Sequence, residues 1–215
     1  MLSIVSGSSS GIGRAIAEML LERGHTVWGV DIAGAALSHP KYHHLQKDIR
    51  KVHAEDLPQP EILIHSAGTL EEEEAIDVNL AGTIRFNELF LESPGLRSIL
   101  FITSASARNG AEFPRYVASK AGLIGYMMHL AVELSARGVT VNSVSPGGVI
   151  TPANDHILKS PVLYGAVKAE TLLGKWATAE EVADLVYYLT AINRSITGED
   201  VLMDNGEMLK SNFIW

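Results

Sequence analysis

Short runs of β-branched and other apolar residues alternate along the chain with segments of helical periodicity. The runs cover residues 2–6, 25–30, 61–65, 98–103, 139–144 and 201–203. A repeated order of strand, helix and strand is typical of a parallel sheet with helices on both of its faces. The pattern therefore predicts an α/β fold of three layers, α/β/α, built on a doubly wound parallel sheet.

Capping residues mark the ends of two predicted helices. Gly24 stands where the first helix is expected to stop, because glycine readily adopts the left-handed conformation that closes a helix. Thr178 and Glu181 have the spacing of a capping box, which predicts a helix over 180–190. No Pro/Ser-rich linker, repeat or low-complexity tract divides the chain, so we expect a single domain over 1–215.

The composition is that of a globular protein, with 47% hydrophobic and 20% charged residues among 215. A net charge of -8 leaves no basic stripe for nucleic acid or for an anionic membrane surface. A small molecule is therefore the expected partner. The chain has no cysteine, which excludes disulfides and thiolate chemistry and fits a reducing compartment. No apolar run is long enough to span a bilayer and no signal-peptide pattern is present, so we expect a cytoplasmic location.

A turn rich in glycine and serine joins the first predicted strand to the first helix. It reads Ser6, Gly7, Ser8, Ser9, Ser10, Gly11, Ile12, Gly13. Glycines let a backbone approach a pyrophosphate closely, and the start of a helix directs N–H groups and a positive dipole end toward it. Asp31 ends the second strand, where an acidic side chain can accept hydrogen bonds from the diol of an adenosine ribose. These features together predict a dinucleotide site.

The spacing of these glycines resembles the signature of the short-chain dehydrogenase/reductase family, and further matches follow in the family's order along nearly the whole chain. They are Ser66-Ala67-Gly68, Asn79, Ser104, Tyr116-Val117-Ala118-Ser119-Lys120, Pro146-Gly147, Thr151-Pro152 and Asp204-Asn205-Gly206. The resemblance implies a Rossmann-type fold and an enzyme that uses NAD to interconvert an alcohol with a ketone or aldehyde. The cofactor-binding residues that it implies are Gly7, Ser9, Ser10, Gly11, Ile12, Gly13, Asp31, Asp48, Ile49, Ser66, Ala67, Gly68, Tyr116, Lys120, Pro146, Gly147, Val149 and Thr151.

Tyr116 and Lys120 are four residues apart in a segment of helical pattern, so both side chains can project from one face of the helix. A phenol with an ordinary pKa of about 10 supplies little phenolate near neutrality. An ammonium group nearby stabilises the phenolate, and we therefore expect Lys120 to make Tyr116 a usable acid or base. No metal is required for this chemistry.

The resemblance also implies roles for the remaining catalytic residues. Lys120 would hydrogen-bond the nicotinamide ribose, Ser104 would hold and polarise the substrate oxygen, and Asn79 would help to carry a proton-relay water. Ser106 is an alternative to Ser104, since both hydroxyls follow the predicted strand over 98–103. Ser104 is preferred because it comes directly after the strand, and such sheets bind ligands at the carboxyl ends of their strands.

Two alternatives to an NAD-dependent enzyme remain open. Arg14 lies next to the glycine turn and could bind a 2′-phosphate, which would make the chain an NADP(H)-dependent carbonyl reductase, whereas Asp31 favours the diol of NAD(H). The segments 48–61 and 68–79 are shorter than the family pattern. This shortening keeps open a nucleotide-binding scaffold or regulator without turnover.

Three further segments carry expectations. The region 148–175 is where the family places its substrate lid. The apolar C-terminal residues 212–215, Asn-Phe-Ile-Trp, are expected to pack on a second subunit of a homodimer or homotetramer. His39, His43 and His44 are expected to be surface histidines rather than metal ligands, because Pro40 disrupts a helical arrangement of ligands.

Overall fold

The computed structural model describes residues 1–210, and the apolar runs form the strands of its central sheet. The strands are β1 (Leu2–Ser6), β2 (Thr26–Asp31), β3 (Tyr42–Gln46), β4 (Ile62–His65), β5 (Ser98–Ile102), β6 (Thr140–Pro146), β7 (Val149–Ile150), β8 (Ala177–Thr178) and β9 (Asp200–Met203). Seven of them form one sheet in the order β3-β2-β1-β4-β5-β6-β9, with every neighbouring pair parallel. β7 and β8 pair separately.

Helices cover both faces of this sheet. They are α1 (Gly11–Glu22), α2 (Thr83–Glu88), α3 (Ser106–Asn109), α4 (Pro114–Glu133), α5 (Asp155–Leu158), α6 (Pro161–Ala169) and α7 (Ala179–Tyr187). One hydrophobic cluster lies between the sheet and helices α1 and α7, and a second lies between the opposite face and helices α2 and α4. This arrangement confirms the prediction of a doubly wound, three-layer α/β/α fold.

The predicted helix ends are also confirmed. Gly24 follows α1 with a φ of 86°, a conformation that an L side chain rarely adopts. Thr178 and Glu181 exchange the two hydrogen bonds of a capping box at the start of α7. The predicted helix over 180–190 continues beyond α7 as a π-helix over Tyr188–Ile192.

One strand of the central sheet, β3, was not among the predicted runs. β3 contains two histidines and a glutamine, and its side chains are only partly buried because it forms the edge of the sheet. A half-exposed edge strand tolerates polar residues on both faces, so it lacks the apolar run that identifies a central strand.

The two shortened segments have simple structures. Residues 48–61 contain two short 3-10 turns, Ile49–Lys51 and Ala54–Asp56, where a long helix would otherwise cross the sheet. Residues 68–79 lead directly into a π-helix over Ile76–Gly82. Among the described residues, no helix is both long and apolar enough to cross a membrane. The C-terminal residues 212–215 lie outside the described part of the chain.

Candidate active site

A cleft of about 890 Å³ opens at the carboxyl ends of the central strands. Its walls come from the turn after β1, from the ends of β2, β4, β5 and β6, and from the start of α4. In an open α/β sheet the chain crosses from one face to the other near these strand ends, which leaves a crevice for ligands. The strand order therefore places the cleft between β1 and β4, where the chain reverses direction across the sheet.

The glycine turn forms one wall by bringing two backbone segments very close together. Gly7 has a φ of 72°, and a Cβ there would lie 2.7 Å from the backbone nitrogen of Ala67. A Cβ on Gly13 would lie 2.1 Å from the carbonyl oxygen of Gly7. No side chain fits at either position, and Ser10, Gly11, Ile12 and Gly13 at the start of α1 line the cleft. The first amides of a helix have no partner within the helix and are free to bind a ligand. This cradle fits the pyrophosphate of a dinucleotide.

Asp31 is held at the end of β2 by two backbone donors. The Ser9 amide donates to Oδ2 at 2.9 Å, and the Ala33 amide donates to Oδ1 at 2.9 Å. Ser9 Oγ in turn donates to the carbonyl oxygen of Gly34. Each carboxylate oxygen has a second lone pair, and Asp31 lines the cleft. It can therefore accept further hydrogen bonds from a bound diol.

Tyr116, Lys120 and Ser104 meet at the other side of the cleft. Tyr116 and Lys120 lie one turn apart on α4, with the Lys120 Nζ 5.7 Å from the centre of the Tyr116 ring. Lys120 is buried and its Nζ donates to the carbonyl oxygen of Ile102 at 3.0 Å. Ser104 follows β5, and its Oγ accepts hydrogen bonds from the amide and the hydroxyl of Ser106. The two acceptor positions of Ser104 are thus occupied, which leaves its own O–H to donate into the cleft.

The titration of Tyr116 differs from the expectation that Lys120 lowers its pKa. Burial raises the pKa of Tyr116 to about 12, the charge of Glu112 adds to the rise, and the Ser104 hydroxyl opposes it. Burial also lowers the pKa of Lys120 to about 8, against the opposing charge of Glu112. Desolvation is therefore the largest cause of both shifts. The four-residue spacing indicated their proximity but carried no information about their burial.

A family profile described as enoyl-(acyl carrier protein) reductase matches residues 53–207 of the chain. The 3-oxoacyl-(acyl-carrier-protein) reductase FabG of Escherichia coli (strain K12) is 30% identical over 238 residues, which cover 95% of this chain and 96% of that protein. The chain belongs to the short-chain dehydrogenase/reductase family. It is therefore an oxidoreductase of the nicotinamide-dependent type, and the predicted resemblance is confirmed.

Other relatives agree with this assignment. The short-chain reductase protein NovJ of Streptomyces niveus is 28% identical over 244 residues, covering 95% of this chain and 93% of that protein. Among solved structures, 4-hydroxyisoleucine dehydrogenase complexed with NADH superimposes with a TM-score of 0.88 at 26% identity, covering 98% of this chain and 99% of that one. The Rossmann-type fold of the family is thus present over the described chain.

Most of the residues predicted from the sequence lie together in the cleft. Those that line it are Gly7, Ser10, Gly11, Ile12, Gly13, Asp31, Asp48, Ile49, Ser66, Ala67, Gly68, Ser104, Tyr116, Lys120, Pro146, Gly147, Val149 and Thr151. Two predicted residues, Ser9 and Asn79, are not part of its wall. Ser9 lies behind Asp31, to which its amide donates.

Asn79 is fully buried in the π-helix, and its side chain binds other parts of the protein. Its Oδ1 accepts from the Thr69 amide at 2.7 Å, while Nδ2 donates to the Thr69 carbonyl and to the Ser119 hydroxyl. These bonds link the loop after β4 to helix α4, the helix that carries Tyr116. The geometry gives Asn79 a place in the scaffold of the site, and its role toward a relay water stays a prediction.

Three carboxylates on the substrate side of the cleft were not identified from the sequence. Glu112, Glu170 and Glu207 all line the cleft. Glu112 is close enough to raise the pKa of Tyr116, and it has a strained φ of 92°. Within residues 1–210 none of the three forms an ion pair. Burial raises the pKa of Glu207, and the negative charges of Asp204, Glu170 and Glu112 raise it further. The three lie far apart in sequence, so no local signal could have identified the group.

His65 occupies the position before Ser66 where the family pattern has asparagine, yet its ring does not face the cleft. The ring is buried, stacks on Phe101 at 4.7 Å between centroids, and hydrogen-bonds Asn87 Oδ1 through Nε2 at 2.9 Å. Burial lowers the pKa of His65 to about 4, so the ring is neutral at physiological pH. His65 therefore packs among the aromatic residues of the core and is not part of the cleft wall.

Two histidines of β3 contact other parts of the protein. His43 stacks on Trp28, and His44 hydrogen-bonds the carbonyl oxygen of Ala33. Nowhere in residues 1–210 are three or more His, Asp or Glu side chains grouped so that they could hold a metal ion.

Proposed function

We propose that the chain is an NAD-dependent enzyme that interconverts an alcohol with a ketone or aldehyde, and that Tyr116 transfers the proton. The observation that carries this proposal is the convergence of Tyr116, Ser104 and Lys120 on the same cleft as the glycine turn and Asp31. In this proposal residues 1–215 form a single domain that binds the dinucleotide and carries out the reaction. The chain would act in the cytoplasm.

The cofactor would lie across the carboxyl ends of the strands. The amides of the glycine turn would hold its pyrophosphate, Asp31 would accept hydrogen bonds from the adenosine ribose, and Asp48 and Ile49 would border the adenine. Lys120 would bind the nicotinamide ribose. When bound, a nicotinamide supplies or accepts the hydride. The close approach of backbone at Gly7 and Gly13 supports this placement, because a side chain at either position would collide with backbone and displace the turn.

Ser104 and Tyr116 would act together on the substrate oxygen. Ser106 occupies the acceptor positions of Ser104, so the Ser104 hydroxyl can donate to that oxygen and stabilise negative charge on it. In reduction Tyr116 would give its proton to the oxygen, and in oxidation the phenolate would remove it. The cation of Lys120 would favour the phenolate form in oxidation.

Three of the carboxylates that line the cleft support a neutral or cationic substrate over an anionic one. A carboxylate on the substrate would meet like charges at Glu112, Glu170 and Glu207 in a partly desolvated cleft. Helices α5 and α6 lie within the region 148–175 and would form the lid over this side. Val162 and Leu163 are exposed on α6, which suits a mobile element that packs only when substrate is bound.

NAD is the preferred cofactor in this proposal because of the surroundings of Asp31 and Arg14. Asp31 lines the cleft, whereas Arg14 does not line it and forms an ion pair with Glu18 at 3.0 Å. The 4-hydroxyisoleucine dehydrogenase noted above was solved with NADH. An NADP(H)-dependent carbonyl reductase is the second candidate, and it would require Arg14 to leave Glu18 and turn toward a 2′-phosphate.

We also propose that the protein forms a homodimer or homotetramer. Met128 and Val132 on α4 are exposed, at 49% and 76% of their surface, and Tyr188 and Ile192 are exposed apolar residues after α7. Exposed apolar residues on adjacent turns of one helix are typical of a surface that a second subunit covers. Light scattering after size exclusion would measure the state directly, and a monomer at micromolar concentration would contradict it.

The test combines cofactor binding with turnover. Fluorescence titration of the purified chain with NADH and with NADPH should show tighter binding of NADH. An alcohol and ketone screen at 340 nm should then identify a turnover that Tyr116→Phe reduces by about a thousandfold, within the range for loss of a general acid or base, while the Kd for NADH stays within about twofold.

Three results would contradict the proposal. Turnover that survives in Tyr116→Phe would remove the proton-transfer role. Tighter binding of NADPH would favour the second candidate. NADH binding without turnover on any alcohol or ketone would favour a nucleotide-binding scaffold.

A further inference from the structure

The edge strand β3 directs three alternate side chains toward the loop that follows Asp31. In the parallel register, His44 lies opposite Gly29 and Gln46 lies opposite Asp31. Alternate residues of neighbouring strands share a face of the sheet, so Tyr42, His44 and Gln46 lie on the same side as Asp31. The Nε2 of Gln46 donates to the carbonyl oxygen of the residue after Asp31, at 3.1 Å.

The other two side chains form a continuous chain of hydrogen bonds from the glycine turn to the Asp31 loop. Ser8 Oγ lies 3.1 Å from the Tyr42 hydroxyl, which lies 3.0 Å from His44 Nδ1. His44 Nε2 lies 2.9 Å from the carbonyl oxygen of Ala33. A carbonyl can only accept, so Nε2 of the neutral ring carries the hydrogen and Nδ1 accepts from Tyr42. The Tyr42 hydroxyl then accepts from Ser8, and every bond in the chain has a donor and an acceptor.

This hydrogen-bond chain passes over Gly29 in the middle of β2. A Cβ on Gly29 would lie 2.1 Å from the Tyr42 hydroxyl and 2.3 Å from Ser8 Oγ. Glycine inside a strand weakens it and often marks a place where another group approaches the backbone closely. At Gly29 the approaching group is the Ser8–Tyr42 hydrogen bond.

The two ends of this hydrogen-bond chain fix the two residues whose amides donate to Asp31. Ser9 donates to one oxygen of the Asp31 carboxylate and directly follows Ser8, the first member of the chain. Ala33 donates to the other oxygen, and its own carbonyl accepts from His44, the last member. The orientation of the Asp31 carboxylate therefore depends on side chains that do not line the cleft.

We propose that Tyr42 and His44 are positioning residues that orient Asp31 toward the adenosine ribose and so set the preference for NADH over NADPH. The inference rests on the proposed function, in which Asp31 accepts hydrogen bonds from the ribose diol. Loss of a hydrogen bond in this hydrogen-bond chain lets the Asp31 carboxylate and the loop after it move. The ribose diol of NADH then loses well-placed acceptors, so NADH binds more weakly. The 2′-phosphate of NADPH meets a negative charge that is less rigidly held, so NADPH binding changes less.

The experiment measures the Kd of NADH and of NADPH by fluorescence titration for the full-length chain and for matched variants. Tyr42→Phe removes two links and keeps the ring, and His44→Leu removes the last two links. The control is His43→Leu, whose side chain lies on the opposite face of the same strand and stacks on Trp28. Each of the first two variants should weaken NADH binding by about threefold to tenfold, the usual range for a lost hydrogen bond. NADPH binding should change less, so the ratio of the Kd for NADPH to the Kd for NADH falls. The control His43→Leu should keep the ratio of the unmodified protein.

A rescue variant separates positioning from general support of the fold. His44→Gln restores an N–H donor toward Ala33 and should recover part of the selectivity. Ser8→Ala removes the hydrogen bond at the other end of the hydrogen-bond chain. If Tyr42→Phe does not fold, this variant should show the same loss of selectivity for NADH. Equal weakening of NADH and NADPH in these variants would show a structural role only and overturn the proposal, as would an unchanged ratio.

Asp31→Asn distinguishes failure of this inference from failure of the proposed function. If Asp31→Asn removes the preference for NADH while Tyr42→Phe and His44→Leu preserve it, the positioning role is wrong and the proposed function stands. If the unmodified chain prefers NADPH, the proposed NAD preference is wrong and the inference fails with it. If the unmodified chain prefers NADH but Asp31→Asn leaves the ratio of the two Kd values unchanged, Asp31 does not set the preference and only the inference fails.

Discussion

The two halves of the cleft are built in different ways. On the cofactor half, the wall is backbone: the glycine turn, the start of α1 and the amides that hold Asp31. On the substrate half, the wall is made of side chains from distant segments, among them Glu112, Glu170 and Glu207. A phosphate is recognised by N–H groups that every residue supplies, whereas a particular substrate is recognised by particular side chains.

This difference explains where each half can vary. The cofactor half tolerates almost no substitution at Gly7 or Gly13, because a Cβ at either position would collide with backbone. The substrate half includes exposed residues on helices α5 and α6 that pack on little of the core. One fold can therefore keep a single cofactor site and change its substrate by changing side chains on the other half.

The strongest expected effect lies on the substrate half, at the two serines after β5. Ser104→Ala should lower kcat by about a hundredfold to a thousandfold, the range for a lost oxyanion donor. Ser106→Ala should lower it only a few fold, because Ser106 binds the back of Ser104 and does not contact the substrate oxygen. Steady-state kinetics at 340 nm compares them, and a larger loss in Ser106→Ala would move the role to Ser106.

The second prediction concerns His65, which ends the strand between the two halves. Burial lowers its folded-state pKa to about 4 from the ordinary 6.5, so its contribution to stability is present above about pH 6.5 and is lost as the pH falls toward 4. The difference corresponds to roughly 3 kcal/mol.

The comparison for His65 is His65→Gln, which keeps a donor toward Asn87 and does not titrate. In urea unfolding at several pH values, the unmodified chain should lose roughly 3 kcal/mol more than this variant between pH 6.5 and 4. The control is His43→Gln on the exposed edge strand, which should follow the unmodified chain. Parallel stability curves for His65→Gln and the unmodified chain would show that the ring does not stay neutral in the fold.

The third prediction tests the backbone wall of the cofactor half. Gly13→Ala places a Cβ 2.1 Å from the Gly7 carbonyl oxygen, so the start of α1 must move away from the turn. The expected cost is about 1–3 kcal/mol of stability, with NADH binding weakened by about tenfold as the amides shift. The matched control is Gly125→Ala in α4, where a Cβ meets nothing within 4 Å.

Gly125→Ala should leave NADH binding unchanged and raise stability by roughly 0.5–1 kcal/mol, because alanine is the better helix former. Thermal unfolding and fluorescence titration measure both variants. NADH binding of ordinary strength in Gly13→Ala would show that the close approach at this turn is not needed for the cofactor.

The smallest expected effect is a shift in pH dependence on the substrate half. Burial raises the pKa of Tyr116 to about 12, and Glu112 raises it further. Removing that charge in Glu112→Gln lowers the pKa of Tyr116, so the phenolate forms at lower pH. The pH profile of alcohol oxidation should move toward lower pH, with a gain of a few fold on its rising limb.

Glu71→Gln is the control for Glu112→Gln, because Glu71 is exposed and does not line the cleft. It should keep the profile of the unmodified chain. An unchanged or upward-shifted profile for Glu112→Gln would show that the Glu112 charge does not act on the proton-transferring group.

The cofactor half was largely predictable from the sequence, and the reason is local. The glycines of the turn and Asp31 depend on backbone conformation over a few residues, and on the other side of the cleft the pair Tyr116 and Lys120 depends on helical spacing. All of these residues line the cleft. The edge strand β3 was missed because its polar residues do not show the apolar run of a buried strand. The hydrogen-bond chain through Tyr42 and His44 was missed for the same reason.

The alternation of helices with the buried strands, the dinucleotide turn and the resemblance to the family could be read from the sequence. The tertiary structure alone decided that Glu112, Glu170 and Glu207 share one wall, that His65 turns away from the cleft, and that burial controls the titration of Tyr116. Spacing along a chain specifies which residues share a helix face or a turn. Proximity between distant segments, and the loss of water that shifts a pKa, depend on the register of the sheet and the packing of helices against it.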